Sequence, residues 1–325
     1  MSIIISTQKE KYRTFCNNEK GIPIFSKDWW LDAVCGKDNW DVVLVERGGK
    51  IVASMPYYVK KSKRNFFTSI SMPPLTQMLG PYIIYPKNQK YERRLSFEKE
   101  IMNELIAQFP QFDQFTQYFH YSVTNWLPFY WKGYSQTARY TYIIEDVSNL
   151  DLVWEGFESS TRRAISVAGK SLRCYQSDDI ELFYRINAMS FRRQNISVPY
   201  SFSFVTKIDE NLAKRGNRMI LFAADLCDSV HAVNYLVWDD RSVYFLMGGS
   251  DPTLRNSGAD SLLTWESIKL ASSLQKKVEF TGSMIESVER YFRSFGAVQK
   301  QYFKISKVNS RIIRFMNSVN SLLLL

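Results

Sequence analysis

A chain of 325 residues that is 45% apolar and 15% aromatic is long enough for two domains, and this composition excludes extensive disorder. Its 42 basic against 32 acidic side chains leave a formal charge of +10, so anionic partners are expected: phosphate-bearing small molecules, nucleic acid or an acidic membrane surface. No apolar run approaches the roughly 20 residues of a membrane span, the Met1-Ser2-Ile3-Ile4-Ile5 start lacks a signal peptide's basic region, and four cysteines (Cys16, Cys35, Cys174 and Cys227) show no metal spacing. The expectation is a cytoplasmic protein in a reducing compartment, at most peripheral to the inner face of the membrane, with no metal site.

Taken in chain order, residues 41–46 and 50–59 are predicted strands, rich in β-branched and aromatic residues, and Gly48-Gly49 between them suits a tight hairpin. Residues 80–85 read as a third strand. A helix is predicted over 91–108, where Leu95, Glu98, Met102, Leu105 and Ile106 keep helical spacing until Pro110 stops it. The second half follows the same plan: a helix at 181–192, strands at 218–224, 231–238 and 242–247, a helix at 258–273, and strands at 278–281 and 298–305. The domain boundary is placed at 148–151, giving domains 1–150 and 151–307. A tail, 308–325, carries Ile312, Ile313, Phe315, Met316 and Val319 at amphipathic spacing, with Arg311 and Arg314 available for an anionic membrane or a partner.

The chain also repeats itself. Tyr130-Trp131-Lys132-Gly133-Tyr134-Ser135 is echoed 161 positions later by Tyr291-Phe292-Arg293-Ser294-Phe295-Gly296, and at the same offset Tyr142 and Ile144 match Phe303 and Ile305. Upstream, Val42–Val45 with Val52, Tyr57 and Val59 recur 178 positions on as Ile220–Ala223 with Val230, Tyr235 and Val237. Two echoes in one order imply a duplicated α/β unit, so a monomer that supplies its own pseudo-dimer is expected.

Chemistry is most legible from Tyr244 to Asp260, where a strand runs through a polar loop into a helix. Free N–H groups at a helix N-terminus and the dipole's positive end attract anions. Gly258 would admit a diphosphate and Arg255 would add a charge-assisted bond. A simple N-cap by Asn256 or Ser257, with Gly258 serving packing, reads equally well. Lys60, Lys61 and Arg64 form a basic cluster after a strand, and Arg162, Arg163, Lys170 and Arg173 form another. His231 and His120 are the only two histidines; each sits among apolar or aromatic residues, so neither a triad nor a metal site is expected.

Arg255-Asn256-Ser257-Gly258-Ala259-Asp260 resembles the Arg/Gln-x-x-Gly-x-Gly/Ala pyrophosphate loop of GNAT-fold acyltransferases, with Asp260 where the family has Gly or Ala. Leu262–Ile268, Phe280-Thr281-Gly282-Ser283 and Tyr291–Ala297 resemble the second domain of FemAB-like proteins. Trp29–Val34 and Pro73–Pro81 resemble the first, and Thr161-Arg162-Arg163-Ala164-Ile165 with Lys170 resembles the basic helix that opens the second. The likeness spans residues 25–307. It implies an α/β (α+β) fold of two tandem GNAT-like domains, each a mixed, mostly antiparallel sheet flanked by helices.

The same resemblance implies an N-acyltransferase. The donor would be an acyl-CoA or an aminoacyl-tRNA, held as a co-substrate with no tightly bound cofactor. The acceptor would be an amine on a nucleotide- or lipid-linked sugar of the cell envelope or a polysaccharide pathway. On this reading Arg255, Asn256, Ser257, Gly258 and Ala259 hold the phosphate-bearing donor, and Lys60, Lys61, Arg64, Arg162 and Arg163 hold the acceptor. Glu286 would relay the amine proton, Arg293 would steady the oxyanion, and Phe303-Lys304 resembles a Phe-Lys pair near the reaction centre of tRNA-dependent relatives. Asp260 is unhelpful beside a diphosphate, whereas the missing coiled-coil arm of tRNA-dependent relatives points the other way, so the donor stays open. Two further readings remain: a catalytically silent module binding an anionic glycan or lipid carrier, and a nucleic-acid binder, for which no recognition motif is present.

Overall fold

A computed structural model describes residues 7–62, 66–281 and 284–322. The chain forms two compact units, one of Met1–Arg139 with Gln301–Leu325, the other of Tyr140–Lys300.

The first unit contains α1 (Thr7–Asn18), α2 (Asp28–Cys35), β1 (Trp40–Arg47), β2 (Lys50–Lys61), β3 (Thr68–Ser71), β4 (Tyr82–Ile83), α3 (Tyr91–Ala107), β5 (Gln114–Tyr118) and α4 (Leu127–Trp131). It is followed by β6 (Ser135–Ile144), within which the chain enters the second unit. Gly48 and Gly49, at φ 56° and 73°, turn β1 back on β2 in the two-residue hairpin their sequence anticipates. β2 pairs antiparallel with β3, and β3 runs parallel to β5 through only Ser69 and Ile70. Beneath them Phe115, Phe119, Phe129 and Tyr134 meet edge to face at centroid separations of 5.0–5.2 Å, and α3 adds Ile101, Met102 and Leu105. The strand expected at 80–85 shrinks to β4. Gly80 lies so close to Phe119 that an added Cβ would come within 2.6 Å of its ring, and the chain there serves packing more than pairing.

The second unit contains α5 (Leu150–Glu155), α6 (Ser159–Ala168), β7 (Arg173–Gln176), α7 (Ile180–Arg193), α8 (Phe202–Ala213), β8 (Arg218–Ala224), β9 (Val230–Trp238) and β10 (Ser242–Ser250). α9 (Ala259–Ser273), β11 (Lys277–Glu279) and α10 (Glu286–Arg293) follow, and within β12 (Val298–Val308) the chain re-enters the first unit. Asn149, Asp179 and Ser201 cap α5, α7 and α8 by accepting from backbone N–H groups of the first turn. Strands β7 to β10 form an antiparallel run, β10 lies parallel to β11 across the α9 crossover, and β11 is antiparallel to the end of β6. Leu236, Leu262, Leu263, Ile268, Phe280 and Phe295 fill the core.

Both halves therefore share one layout: an antiparallel hairpin, a helical crossover and a short parallel pair. The echoed aromatics Tyr134 and Phe295 both follow a short helix, and both are buried. The boundary differs from the one read in sequence. Val278 and Glu279 of β11 pair with Ile144 and Ile143 of the first copy's last strand, whereas β5 pairs with residues 304–308 of the second copy's last strand, β12. Each unit is closed by the other copy's final strand. The tail forms α11 (Arg311–Leu322) and belongs with the first unit.

Candidate functional site

In the second unit β10 and β11 share a ladder only from Ser242 to Tyr244, while β10 continues to Ser250 beside β9. A register shift between Phe245 and Met247 marks the departure. Thr281, at φ 51°, donates its hydroxyl to the Phe245 carbonyl at 2.9 Å and holds the fork open at its root. Among the described residues, the β11-facing edge of β10 past Tyr244 thus has no strand partner. Gly248 is exposed on it. Its carbonyl accepts a 2.6 Å hydrogen bond from buried Asn187 of α7, which in turn accepts one from the Tyr200 hydroxyl. Gly249 lets α7 lie flat on the strand end, where a Cβ would sit 2.6 Å from the Asn187 Cα.

The fork leads into the predicted donor loop. Arg255, Asn256 and Ser257 form one 3-10 turn, with Arg255 and Asn256 exposed, and Gly258 at φ 77° hands the chain to α9, where Ala259 is buried. A Cβ on Gly258 would meet the Ala164 carbonyl at 2.8 Å and the Ala168 Cβ at 3.2 Å. This glycine thus serves the close packing of α6 on α9, whatever the loop binds. Asp260 lies in the first turn of α9. Burial pushes its carboxyl above the usual range, against the pull of a hydrogen bond from Ser250 and of Arg193's charge. A carboxyl there competes with any phosphate for the helix's positive end. Nearby, Tyr291 shares a 2.8 Å hydrogen bond with Thr264, and burial, then Asp260's charge, drive its phenol upward.

The other predicted residues lie apart from that loop in sequence and in role. Glu286 is exposed at the start of α10, and Arg293 lies seven positions on, about 10 Å along the helix axis. Arg293 donates to Glu289 at 3.0 Å, and the Tyr142 hydroxyl donates to the same carboxylate oxygen at 2.9 Å, which together hold Glu289 below the usual carboxylate range. Arg162 donates to the carbonyls of Trp154, Glu155 and Phe157, at 3.4, 2.9 and 2.5 Å, and so closes the end of α5. Arg163 is exposed.

In the first unit, Lys60 lines a cavity of about 400 Å³ with Tyr58, Ser69, Ser71, Gln114 and Thr116. Cross-strand register puts Lys60 opposite Ser69, Ser69 opposite Gln114, Thr116 opposite Ser306 and Tyr118 opposite Lys304. Alternation then sets Lys60, Gln114, Thr116 and Lys304 on one sheet face. Beside them Arg139 lies 5.3 Å over the Tyr118 ring and donates to the Tyr302 hydroxyl. Lys61 is exposed at the end of β2, and Arg64 lies outside the described residues. Ser69, Ser71, Gln114 and Thr116 escaped notice in sequence because β3 and β5 are short and weakly patterned, and their alignment depends on long-range pairing. Asn187 gave no signal beyond helical periodicity. Among the described residues no three His, Cys, Asp or Glu side chains group as a metal site, and no helix is long and apolar enough to cross a membrane.

Residues 156–282 match the family model of the acetyltransferase (GNAT) domain. No curated protein matches in sequence. Among solved structures, FemX aligns with a TM-score of 0.65 at 12% identity, over 91% of this chain and 95% of its own. L-PGS from Bacillus licheniformis aligns with a TM-score of 0.54 at 9% identity, over 96% of each chain. At such identities the shared property is the fold, a mixed and mostly antiparallel sheet flanked by helices in each of two tandem units.

Proposed function

We propose that this FemAB-like chain of GNAT fold is an N-acyltransferase, moving an acyl group from an activated donor to an amine of a cell-envelope or polysaccharide precursor. One observation carries the reading: the family match spans the fork where β10 leaves β11 and the glycine turn that opens α9. Open main-chain groups at a strand edge can pair with an extended carrier arm, as in strand addition. The amine nitrogen would attack the donor carbonyl carbon. The C–N bond forms as the C–S bond of a thioester, or the C–O bond of an aminoacyl ester, breaks. The amine's proton ends on the departing sulfur or oxygen.

In this reading Glu286 relays that proton, and Arg293 meets the oxyanion only by leaving Glu289. Lys60, which lines the first unit's cavity, contacts the acceptor's phosphates, and Lys304 serves the reaction centre. The donor is acyl-CoA or aminoacyl-tRNA, and the site of action is the cytoplasm, where both are made. Asp260 argues for a donor that sets no diphosphate on α9. The test is to incubate the protein with a UDP-linked muramyl peptide and either acetyl-CoA or charged tRNA, and to weigh the acceptor. A mass gain that Glu286→Gln reduces supports the reading. Binding of the acceptor without any mass gain would favour a silent binding module, the alternative that Asp260 and the Glu289-bound Arg293 lend weight to.

A further inference from the structure

The C-terminal stretch 301–325 holds Lys304, Lys307, Arg311 and Arg314 and no acidic residue, and residues 60–70, with Lys60, Lys61, Lys63 and Arg64, hold none either. The fold brings Thr68 of the one close to Asn309 and Ser310 of the other. Asp113 is the link: its carboxylate accepts from Thr68 N at 2.8 Å, its N–H donates to the Thr68 carbonyl, and its carbonyl accepts from Asn309 N and Ser310 N at 2.8 and 3.2 Å. Phe66, two positions before Thr68, is 72% exposed.

On α11 itself, Ser310 accepts from Ile313 N at 3.4 Å and starts the helix. At 100° per residue Ile312, Phe315 and Met316 fall on one stripe, with Arg311 and Arg314 along one border. The three apolar side chains are 60%, 71% and 54% exposed. An apolar stripe of this exposure on a soluble surface needs a cover, and a border of one sign only says of what charge. A helix with an apolar stripe and a basic flank is suited to lie in the plane of a lipid interface, its arginines at the headgroups.

We propose that α11, together with Phe66 and Lys61, is a docking surface for an anionic lipid bilayer. Phe315, Ile312 and Met316 enter the headgroup–acyl boundary, and Arg311, Arg314 and Lys61 meet lipid phosphates. The proposal stands independently of acyl transfer, and binding needs no donor or acceptor.

The experiment is co-sedimentation of the full chain with vesicles of phosphatidylcholine alone, or of phosphatidylcholine with phosphatidylglycerol, at low and moderate salt. Binding to the anionic vesicles, weakened by salt, is expected. The Arg311→Glu/Arg314→Glu variant should bind at least about thirtyfold more weakly, and Phe315→Ser should lose most binding. Leu226→Ser, at a 92% exposed leucine of the second unit, should change nothing. Thermal unfolding of each variant checks that it is folded. Equal binding to both vesicle types, no binding to the anionic ones, or indifference to both α11 variants would overturn the proposal. So would a dimer in sedimentation equilibrium that Phe315→Ser dissolves, which would make the face a contact between copies of the chain.

Discussion

Gly258 carries two constraints at once, a left-handed φ of 77° and the Ala164 carbonyl 2.8 Å from where a Cβ would be. Gly216, at φ 66°, has open space around it and carries only the first. Gly216→Ala should therefore cost about 1 kcal/mol, and Gly258→Ala about 2–4 kcal/mol, because backbone on α6 must also move. Urea denaturation of the two variants checks this, and equal losses would mean that α6 yields freely. Asp260 makes a pH-dependent demand. Its folded-state pKa is raised by burial, so the native state binds more protons than the unfolded one and stability falls as pH rises from the ordinary carboxyl range through the raised value. Asp260→Asn should flatten that slope and leave the protein at least as stable at neutral pH. A denaturant midpoint series from mildly acid to neutral pH reads it. If Asp260 also repels a diphosphate, the same variant should bind CoA more tightly than the parent chain does.

Arg162 shows how an element's end can engage a residue that sequence reads as a binding residue. Residue type and the neighbouring Arg163 suggested phosphate contacts, and in the structure one guanidinium nitrogen, Nη1, is committed to the carbonyls at the close of α5. Arg162→Ala should cost about 1–3 kcal/mol by leaving those acceptors short of donors, whereas Arg163→Ala, at an exposed position, should fall within about 0.5 kcal/mol of zero. Differential scanning calorimetry of the pair separates them. The elements with strong local signals, the Gly48-Gly49 hairpin, α3, α7 and β8 to β10, were legible in sequence because alternation or helical spacing runs through whole segments. β3 and β5 were not, since Thr-Ser-Ile-Ser and Gln-Phe-Thr-Gln-Tyr are too short to display a period and are strands only because β2 and β12 flank them. The loop at 255–259, expected to hold a donor, was read from residue type and spacing alone. The first unit's cavity was missed because β5 joins its lining from far along the chain beyond β2 and β3.

At the scale of the molecule, each unit contains the other copy's final strand, so the two compact units do not coincide with the halves divided at 148–151. Fragments 1–150 and 151–325 should each fail to unfold cooperatively alone. The first lacks β12 beside β5, and the second lacks residues 140–144 beside β11. Mixing them should restore a cooperative transition in circular dichroism. Two independent transitions from the separate fragments would mean that the exchanged strands are dispensable. Deleting 301–325 should release hydrogen-exchange protection in β5 while sparing β8 and β9. Duplication, the glycine turn that opens α9 and the basic, aromatic character of the chain were all written locally, in residue identity at fixed spacing, and could be read without coordinates. Strand exchange, the internal claim on Arg162, the double constraint on Gly258 and the gathering of Lys60, Ser69 and Gln114 around one cavity could not. They arise from pairing and packing between segments far apart in sequence, and a linear pattern carries no distance between such segments.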